Sequence, residues 1–203
     1  MTETHPLQPF YPDKAKWLFL GSFPPKKERW SMDFFYPNFQ NDMWRIFGLI
    51  FFDDKNQFVN SSEKCFYKEK IINFLTQQGI AMYDTAETVI RHKDNASDKD
   101  LEIVKATDMA KIIHKLPDLQ HIIATGQKAL ETIIEQFAKK DIQIQPPIVG
   151  SFTAFMFENR TINLYRMPSS SRAYPLSLEK KAEMYKKVFE ENYQQKPKFF
   201  LPS

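Results

Sequence analysis

The chain has 203 residues, 42% of them hydrophobic, and a net charge of +3. This length suits one domain with a continuous core, so residues 1–203 are predicted to form a single domain with 194–203 as a tail. The small basic excess is compatible with a nucleic-acid partner but does not argue for one by itself.

Cysteine, histidine and hydropathy patterns exclude several classes of protein. Cys65 is the only cysteine, which rules out an internal disulfide and a multi-thiolate metal site and favours a reducing, cytoplasmic location. The four histidines have no metal-ligand spacing, so we expect no metal or other cofactor. No signal peptide or membrane-spanning run is legible. Basic stretches such as 180–187 are diluted by acids and are interpreted as solvated faces.

Short apolar runs alternate with helix-spaced apolar residues along the chain. The predicted strands are Trp17–Leu20, Gly79–Tyr83, His121–Ala124 and Ile162–Tyr165. The predicted helices are Asn41–Phe51, Phe66–Gln77, Thr107–Lys115, Gln127–Lys139 and Leu178–Tyr193.

Strands that alternate with helices predict an α/β fold with helices on both faces of a parallel sheet. The segment 143–158 is left as an edge strand or a hairpin, and 91–100 as a charged loop. In such a fold, ligands bind at the carboxyl ends of the strands. The segments that follow the strands are therefore the candidates for a site.

The first strand runs into Gly21-Ser22-Phe23-Pro24-Pro25, where glycine permits close approach and the prolines stiffen the exit. This loop lacks the further glycines of a dinucleotide fingerprint and the Lys of a P-loop. It is either a structural corner or part of a site.

The segment 34–44 is rich in aromatic and amide side chains, which suit a planar, hydrogen-bonding ligand such as a nucleobase. Asn41 stands just before a predicted helix. It is either an N-cap or a group that orients a water or binds a base edge, and spacing does not distinguish these roles.

Small or polar residues also follow the other strands. Pro168, Ser169, Ser170, Ser171 and Arg172 form a loop that is either solvated or suited to a phosphate backbone.

Two further strand ends place polar groups toward the same crevice. They are Asp84 after the second strand, and Gly126 with Lys128 after the third.

Four of these segments, in this order, resemble the uracil-DNA glycosylase superfamily, and most of all its deoxyinosine (hypoxanthine) DNA glycosylase branch. They are Gly21–Pro25, Phe39–Trp44, Met82–Asp84 and Met167–Arg172. The resemblance runs from about Trp17 to Tyr174. It implies a three-layer α/β/α sandwich on a short, mostly parallel four-stranded sheet.

The resemblance also implies roles for individual residues. Gly21, Ser22, Phe23 and Pro24 would line the base pocket, and Tyr36 would stack on the extruded base.

In the same way, Asn41 would serve catalysis and the loop 169–171 would grip DNA beside the lesion. The implied activity is hydrolysis of the N-glycosidic bond of uracil or hypoxanthine in DNA by a monofunctional, metal-independent enzyme that we expect to be a monomer.

Three departures from the branch leave other functions open. Pro25 replaces a glycine, Gln40 an arginine and Arg172 a proline of the motifs. The alternatives are a non-catalytic nucleic-acid-binding module of the same fold, and a hydrolase or binding protein for free nucleosides or nucleotides.

Overall fold

The computed structural model describes residues 1–93 and 100–192. Within them the strands are β1 Thr2–Thr4, β2 Trp17–Gly21, β3 Val59–Asn60, β4 Cys65–Phe66, β5 Ile80–Asp84, β6 Ala86–Arg91, β7 Leu101–Ala106, β8 His121–Thr125, β9 Ser151–Phe157 and β10 Arg160–Met167. The helices are α1 Met43–Phe52, α2 Lys68–Gln78, α3 Met109–Lys115, α4 Gln127–Ala138 and α5 Leu178–Asn192, with a 3-10 turn at Lys27–Arg29. The predicted tail, 194–203, lies outside the described residues.

The main sheet has five strands in the order β5-β2-β8-β10-β9. The first four are parallel, and β9 pairs antiparallel with β10. The α/β class and the four predicted strands are confirmed, but the sheet is five-stranded and mixed, not four-stranded and mostly parallel.

The additional strand, β9, shows the alternating burial of an edge strand. Phe155 and Phe157 are buried, whereas Phe152 and Met156 are exposed. This alternation is typical of an antiparallel edge strand, while strands that are buried on both faces are continuously apolar, as β2 is.

Helices cover both faces of the main sheet. On one face, Phe19 of β2 contacts Phe47 of α1 and Phe189 of α5. On the other, Phe137 of α4 contacts Phe155 and Phe157 of β9. The three-layer arrangement therefore has aromatic contacts on both sides of the sheet.

Local signals set several helix ends. Gly79 closes α2 with a φ of 64°, and its N–H donates to the carbonyls of Leu75 and Thr76, as its position predicts. Ser177 Oγ accepts the Lys180 N–H at 3.3 Å, as the side chain of an N-cap residue does at the start of a helix.

A second, three-stranded antiparallel sheet, β1-β6-β7, lies beside the ends of the main strands. The Thr85 and Ala86 N–H groups bond to the carbonyls of Gly21 and Ser22, so β6 leaves the main sheet next to the loop that follows β2. Phe23 packs against the small core of this sheet. No part of this sheet is predicted from the sequence. Of the predicted loop 91–100, Arg91 ends β6, and residues 94–99 lie outside the described residues.

None of the helices among the described residues is long and apolar enough to cross a membrane. Within residues 1–93 and 100–192, no three His, Cys, Asp or Glu side chains come together as a metal site would require.

Candidate active site

An open cleft of about 1080 Å³ lies at the carboxyl ends of the parallel strands. Of the predicted site residues, those that line it are Gly21, Ser22, Phe23, Pro24, Tyr36, Asn41, Asp84, Gly126, Lys128, Ser169, Ser170, Ser171 and Arg172. Pro168 is buried behind the loop, where its carbonyl accepts a hydrogen bond from Tyr185 Oη at 2.7 Å. The fold thus brings five separate segments of the chain to one surface.

Asp84 is the carboxylate at the floor of this cleft. Gly21 and Asp84 are register partners at the ends of β2 and β5. Asp84 Oδ1 lies so close over Gly21 that a Cβ there would come within 2.5 Å of it. Only glycine leaves room for the carboxylate in this position.

His5 holds the other oxygen of that carboxylate. His5 Nε2 lies 2.9 Å from Asp84 Oδ2, and the exposed fractions of the two side chains are 2% and 9%. The His5 ring also meets Phe23 edge-on at 5.3 Å and Tyr83 at 4.7 Å between centroids. The sequence interpretation missed this pair because the two residues are 79 positions apart and follow no motif spacing.

Tyr36 has its ring fixed by hydrogen bonding at the hydroxyl. Thr125 Oγ1 donates to the Leu20 carbonyl at 3.2 Å, so its lone pairs accept the Tyr36 hydroxyl proton at 2.8 Å. Tyr36 itself has a φ of 49°, the left-handed region that non-glycine residues seldom adopt. Such a conformation is typical of functional sites.

Asn41 lies one residue before Asp42, which is the N-cap of α1, so the prediction of Asn41 as the N-cap itself is wrong. Asn41 Oδ1 accepts the Met43 N–H at 2.9 Å at the start of α1. This bond needs an acceptor, so it fixes which end of the amide is oxygen. The Nδ2 group is then the donor end of an amide that lines the cleft.

The loop 168–172 is held from behind through its carbonyl groups. The Ser170 carbonyl accepts the Asp42 N–H at 2.9 Å, and the Ser171 carbonyl accepts Lys181 Nζ at 2.8 Å. The three serines line the cleft, where Ser170 is nearly buried and the Ser169 and Ser171 Oγ atoms accept the N–H groups of Ser171 and Ala173.

A buried ion pair supports the same region. Lys181 Nζ lies 3.0 Å from Asp42 Oδ2, and the Lys181 side chain is fully buried. The interpretation of this part of α5 as a solvated face is therefore wrong at Lys181. The pair is 139 residues apart in sequence, beyond any local signal.

The N-terminus of α4 completes the rim. Gly126, with a φ of 137°, joins β8 to the helix, and the Ser169 Cβ lies 3.8 Å from where a Gly126 Cβ would be. The first N–H groups of a helix have no partner within it and attract anions. The lining also contains four cationic side chains, Arg29, Arg91, Lys128 and Arg172, against the two acids Asp84 and Glu131.

Arg91 was missed by sequence reasoning, because it belongs to the second sheet. Its Nε lies 3.1 Å from Glu3 Oε1, and its Nη2 donates to the Pro24 carbonyl at 3.1 Å. It therefore ties β1 and β6 to the loop that follows β2. Thr125 was also missed, although its place at the end of a predicted strand was a usable signal.

The fold is similar to the solution NMR structure of a putative uracil DNA glycosylase from Methanosarcina acetivorans, with a TM-score of 0.61. The two sequences are 18% identical, and the likeness covers 94% of this chain and 98% of the other. At this identity the comparison establishes the fold alone. No protein-family model and no curated protein matches the chain.

Proposed function

We propose that this protein is a DNA glycosylase that hydrolyses the N-glycosidic bond of a deaminated base, uracil or hypoxanthine, and leaves an abasic site. The observation that carries the proposal is the cleft itself. A fixed aromatic ring, an amide donor and a buried carboxylate face one cavity, beside a small-residue loop and a basic rim. The fold shared with a putative uracil DNA glycosylase supports the same conclusion.

Base recognition falls to Tyr36 and Asn41. The extruded base stacks on the Tyr36 ring, a contact worth about 1–3 kcal/mol per base in single-strand binders. The Asn41 Nδ2 group donates to a base oxygen, on which negative charge grows as the bond breaks. Since Oδ1 already accepts the Met43 N–H, the donor role fits Asn41 better than the positioning of a water by its oxygen.

Asp84 serves the sugar side of the reaction. The C1′–N bond breaks with its electron pair leaving on the base, and water adds its oxygen to C1′. Asp84 Oδ1 orients that water and stabilises the positive charge on the sugar, while His5 holds the carboxylate by Oδ2. The proton that the water loses ends on the departing base.

The strand is gripped by the loop 169–171, Lys128 and Arg172. Serine hydroxyls and the helix N–H groups after Gly126 suit phosphate oxygens, which need close approach without bulky side chains. The proposal includes a monomer that needs no metal. The cytoplasmic location stays a prediction.

The test is base release from oligonucleotides that carry one uracil or one hypoxanthine, single-stranded and paired, in EDTA, followed by alkaline cleavage of abasic sites. Asn41→Asp and Asn41→Ser are the informative variants, because both keep an acceptor for the Met43 N–H and remove the amide donor. We expect each to lower the rate about 10²- to 10³-fold, as loss of one transition-state donor does.

The melting temperature of both variants is the control, and we expect it to stay near the wild-type value. Intact strands in every reaction with wild-type protein that still binds DNA would refute the glycosylase and favour a non-catalytic binding module. Release from free nucleosides alone would favour the small-molecule hydrolase.

A further inference from the structure

A second cavity, of about 360 Å³, adjoins the cleft and shares Arg172 with it. Its walls are the start of α1, the turn after that helix and the start of α5. The residues that line it are Asp42, Arg45, Lys55, Arg172, Leu176, Ser177 and Leu178. None of the roles proposed above uses this space.

The charges around this cavity do not balance. Three of the lining residues are cationic, Arg45, Lys55 and Arg172, and one is acidic, Asp42. That carboxylate already pairs with the buried Lys181 at 3.0 Å and lies 3.5 Å from Arg172 Nε. Four positive charges therefore share one negative charge, which leaves an excess of three.

Arg45 is held in place by backbone carbonyl groups and an aromatic ring. Its Nη1 donates to the carbonyls of Phe39 at 2.7 Å and Asn41 at 3.1 Å, and its guanidinium lies over the Phe39 ring at 4.8 Å. These bonds use Nη1 alone, so the other side of the planar fork is available to a ligand. Burial, and after it the neighbouring Arg172, lowers the pKa of Arg45, while Asp42 acts in the opposite direction.

The start of α5 adds to this field. Ser177 and Leu178 line the cavity, and the first-turn N–H groups of a 15-residue helix carry partial positive charge. Together with a fixed guanidinium, a helix start of this kind suits phosphate oxygens.

We propose that this cavity binds a backbone phosphate of the DNA. This phosphate neighbours the one that the loop 169–171 holds in the same strand. Arg172 lines both cavities and so lies between the two phosphate positions. The proposal rests on the proposed function in that it takes DNA as the substrate, and it assigns Arg45 and Lys55 to the DNA interface.

The test is DNA affinity measured by fluorescence anisotropy over a range of salt concentrations. The variants are Lys55→Gln and Arg172→Gln. Lys186→Gln removes the same charge from an exposed pair with Glu190 on α5 and is the matched control. We expect each of the first two to reduce the slope of log K against log [salt] by about 0.7–0.9, the value for one lost phosphate contact. Lys186→Gln keeps the wild-type slope.

A methylphosphonate scan of the linkages around the lesion locates the phosphate. At one linkage, removal of the phosphate charge should abolish the difference in DNA affinity between wild type and Lys55→Gln. If the cavity binds a phosphate of the strand, inorganic phosphate at millimolar concentration should not abolish the difference between wild type and Lys55→Gln. A salt slope unchanged by Lys55→Gln, with inorganic phosphate bound in the cavity, would overturn the proposal.

Base release in the same samples separates this inference from the proposed function. Only Lys55→Gln tests the second cavity by itself, because Arg172 also lines the cleft. Release together with a Lys55→Gln slope equal to that of wild type would overturn the phosphate site and leave the glycosylase standing. Reduced slopes without release from wild-type protein would support the site and refute the glycosylase. Wild-type protein that does not bind DNA would overturn both.

Discussion

Replacement of Gly21 by alanine tests whether the Asp84 carboxylate occupies the position on which the proposed chemistry depends. The added Cβ would lie 2.5 Å from Asp84 Oδ1, whereas ordinary contact begins at 3.4 Å and real contacts are essentially never under 3.0 Å. The carboxylate must therefore move by about 0.5–0.9 Å, the difference between these distances. The φ of Gly21 is not positive, so the clash is the sole cause of the expected effect.

The cost follows from what holds the carboxylate. Asp84 Oδ2 lies 2.9 Å from His5 Nε2 in a nearly buried position, so a shift of this size strains or breaks that bond. Hydrogen bonds to charged groups contribute about 1.5–3 kcal/mol, and overpacking costs about 1–3 kcal/mol. We expect Gly21→Ala to lower the free energy of unfolding by about 2 kcal/mol, which is a fall of about 4–8 °C in Tm for a chain of this size.

The assay is a double-mutant cycle with Asp84→Ala and Asp84→Asn, read by thermal unfolding and by base release. With Asp84→Ala the space over Gly21 is empty, so Gly21→Ala should cost little further stability. With Asp84→Asn the side chain keeps its volume and the cost should persist. Base release by Gly21→Ala should fall about 10- to 100-fold, since a misplacement of 1 Å costs about 100-fold.

Two results would refute this reasoning. A Gly21→Ala protein with unchanged Tm and rate would mean that the carboxylate does not lie over the glycine. An equal loss of stability with Asp84 and with Asp84→Ala would mean that the clash involves some other group.

Two further substitutions test other parts of the structure. Burial and Lys16 lower the pKa of His121 from 6.5 to about 4. Between these pH values the unfolded chain binds a proton at His121 and the folded chain does not. The free energy of unfolding therefore decreases as the pH falls from 6.5 toward 4. His121→Phe keeps a ring stacked on Trp17 and should remove roughly 2–3 kcal/mol of this loss. The measurement is urea unfolding of both proteins at pH 7 and pH 4.5. A pH dependence equal to that of wild type would contradict the lowered pKa of His121. Lys181→Met leaves the buried Asp42 carboxylate with the half-exposed Arg172, 3.5 Å away, as its remaining ionic partner. It should cost about 3 kcal/mol by the same assay, with much of the loss recovered in Lys181→Met/Asp42→Leu. A Lys181→Met protein as stable as wild type would show that the Lys181–Asp42 pair is not buried.

The central layer of the fold was predictable because its strands are buried on both faces. β2, β5 and β8 are buried at every position, and the polar residues Asp84, His121 and Thr125 stand only at strand ends, so they do not obscure the apolar runs. The second sheet was not predictable in the same way. β7 has a single fully buried residue, Leu101, so its sequence carries almost no alternation to detect.

The residues of the candidate site differ in the same way, because some were predictable from the sequence and others were not. Gly21, Asp84 and Gly126 directly follow buried strands, so the rule that ligands bind at the carboxyl ends of parallel strands finds them. His5 and Lys181 act on the site across long stretches of sequence. Which distant partner meets a given carboxylate depends on the packing of whole elements, and no spacing rule encodes it.

The buried pair of Asp42 and Lys181 shows why such partners matter to function. A buried ion pair contributes little to stability compared with apolar residues of the same size, because both charges lose their hydration. This pair does something that apolar residues would not. Asp42 follows Asn41 and bonds to the loop by its N–H, while Lys181 bonds to the Ser171 carbonyl. The pair therefore fixes the amide donor and the serine loop relative to each other, so the proposed base site and strand grip are positioned by one interaction.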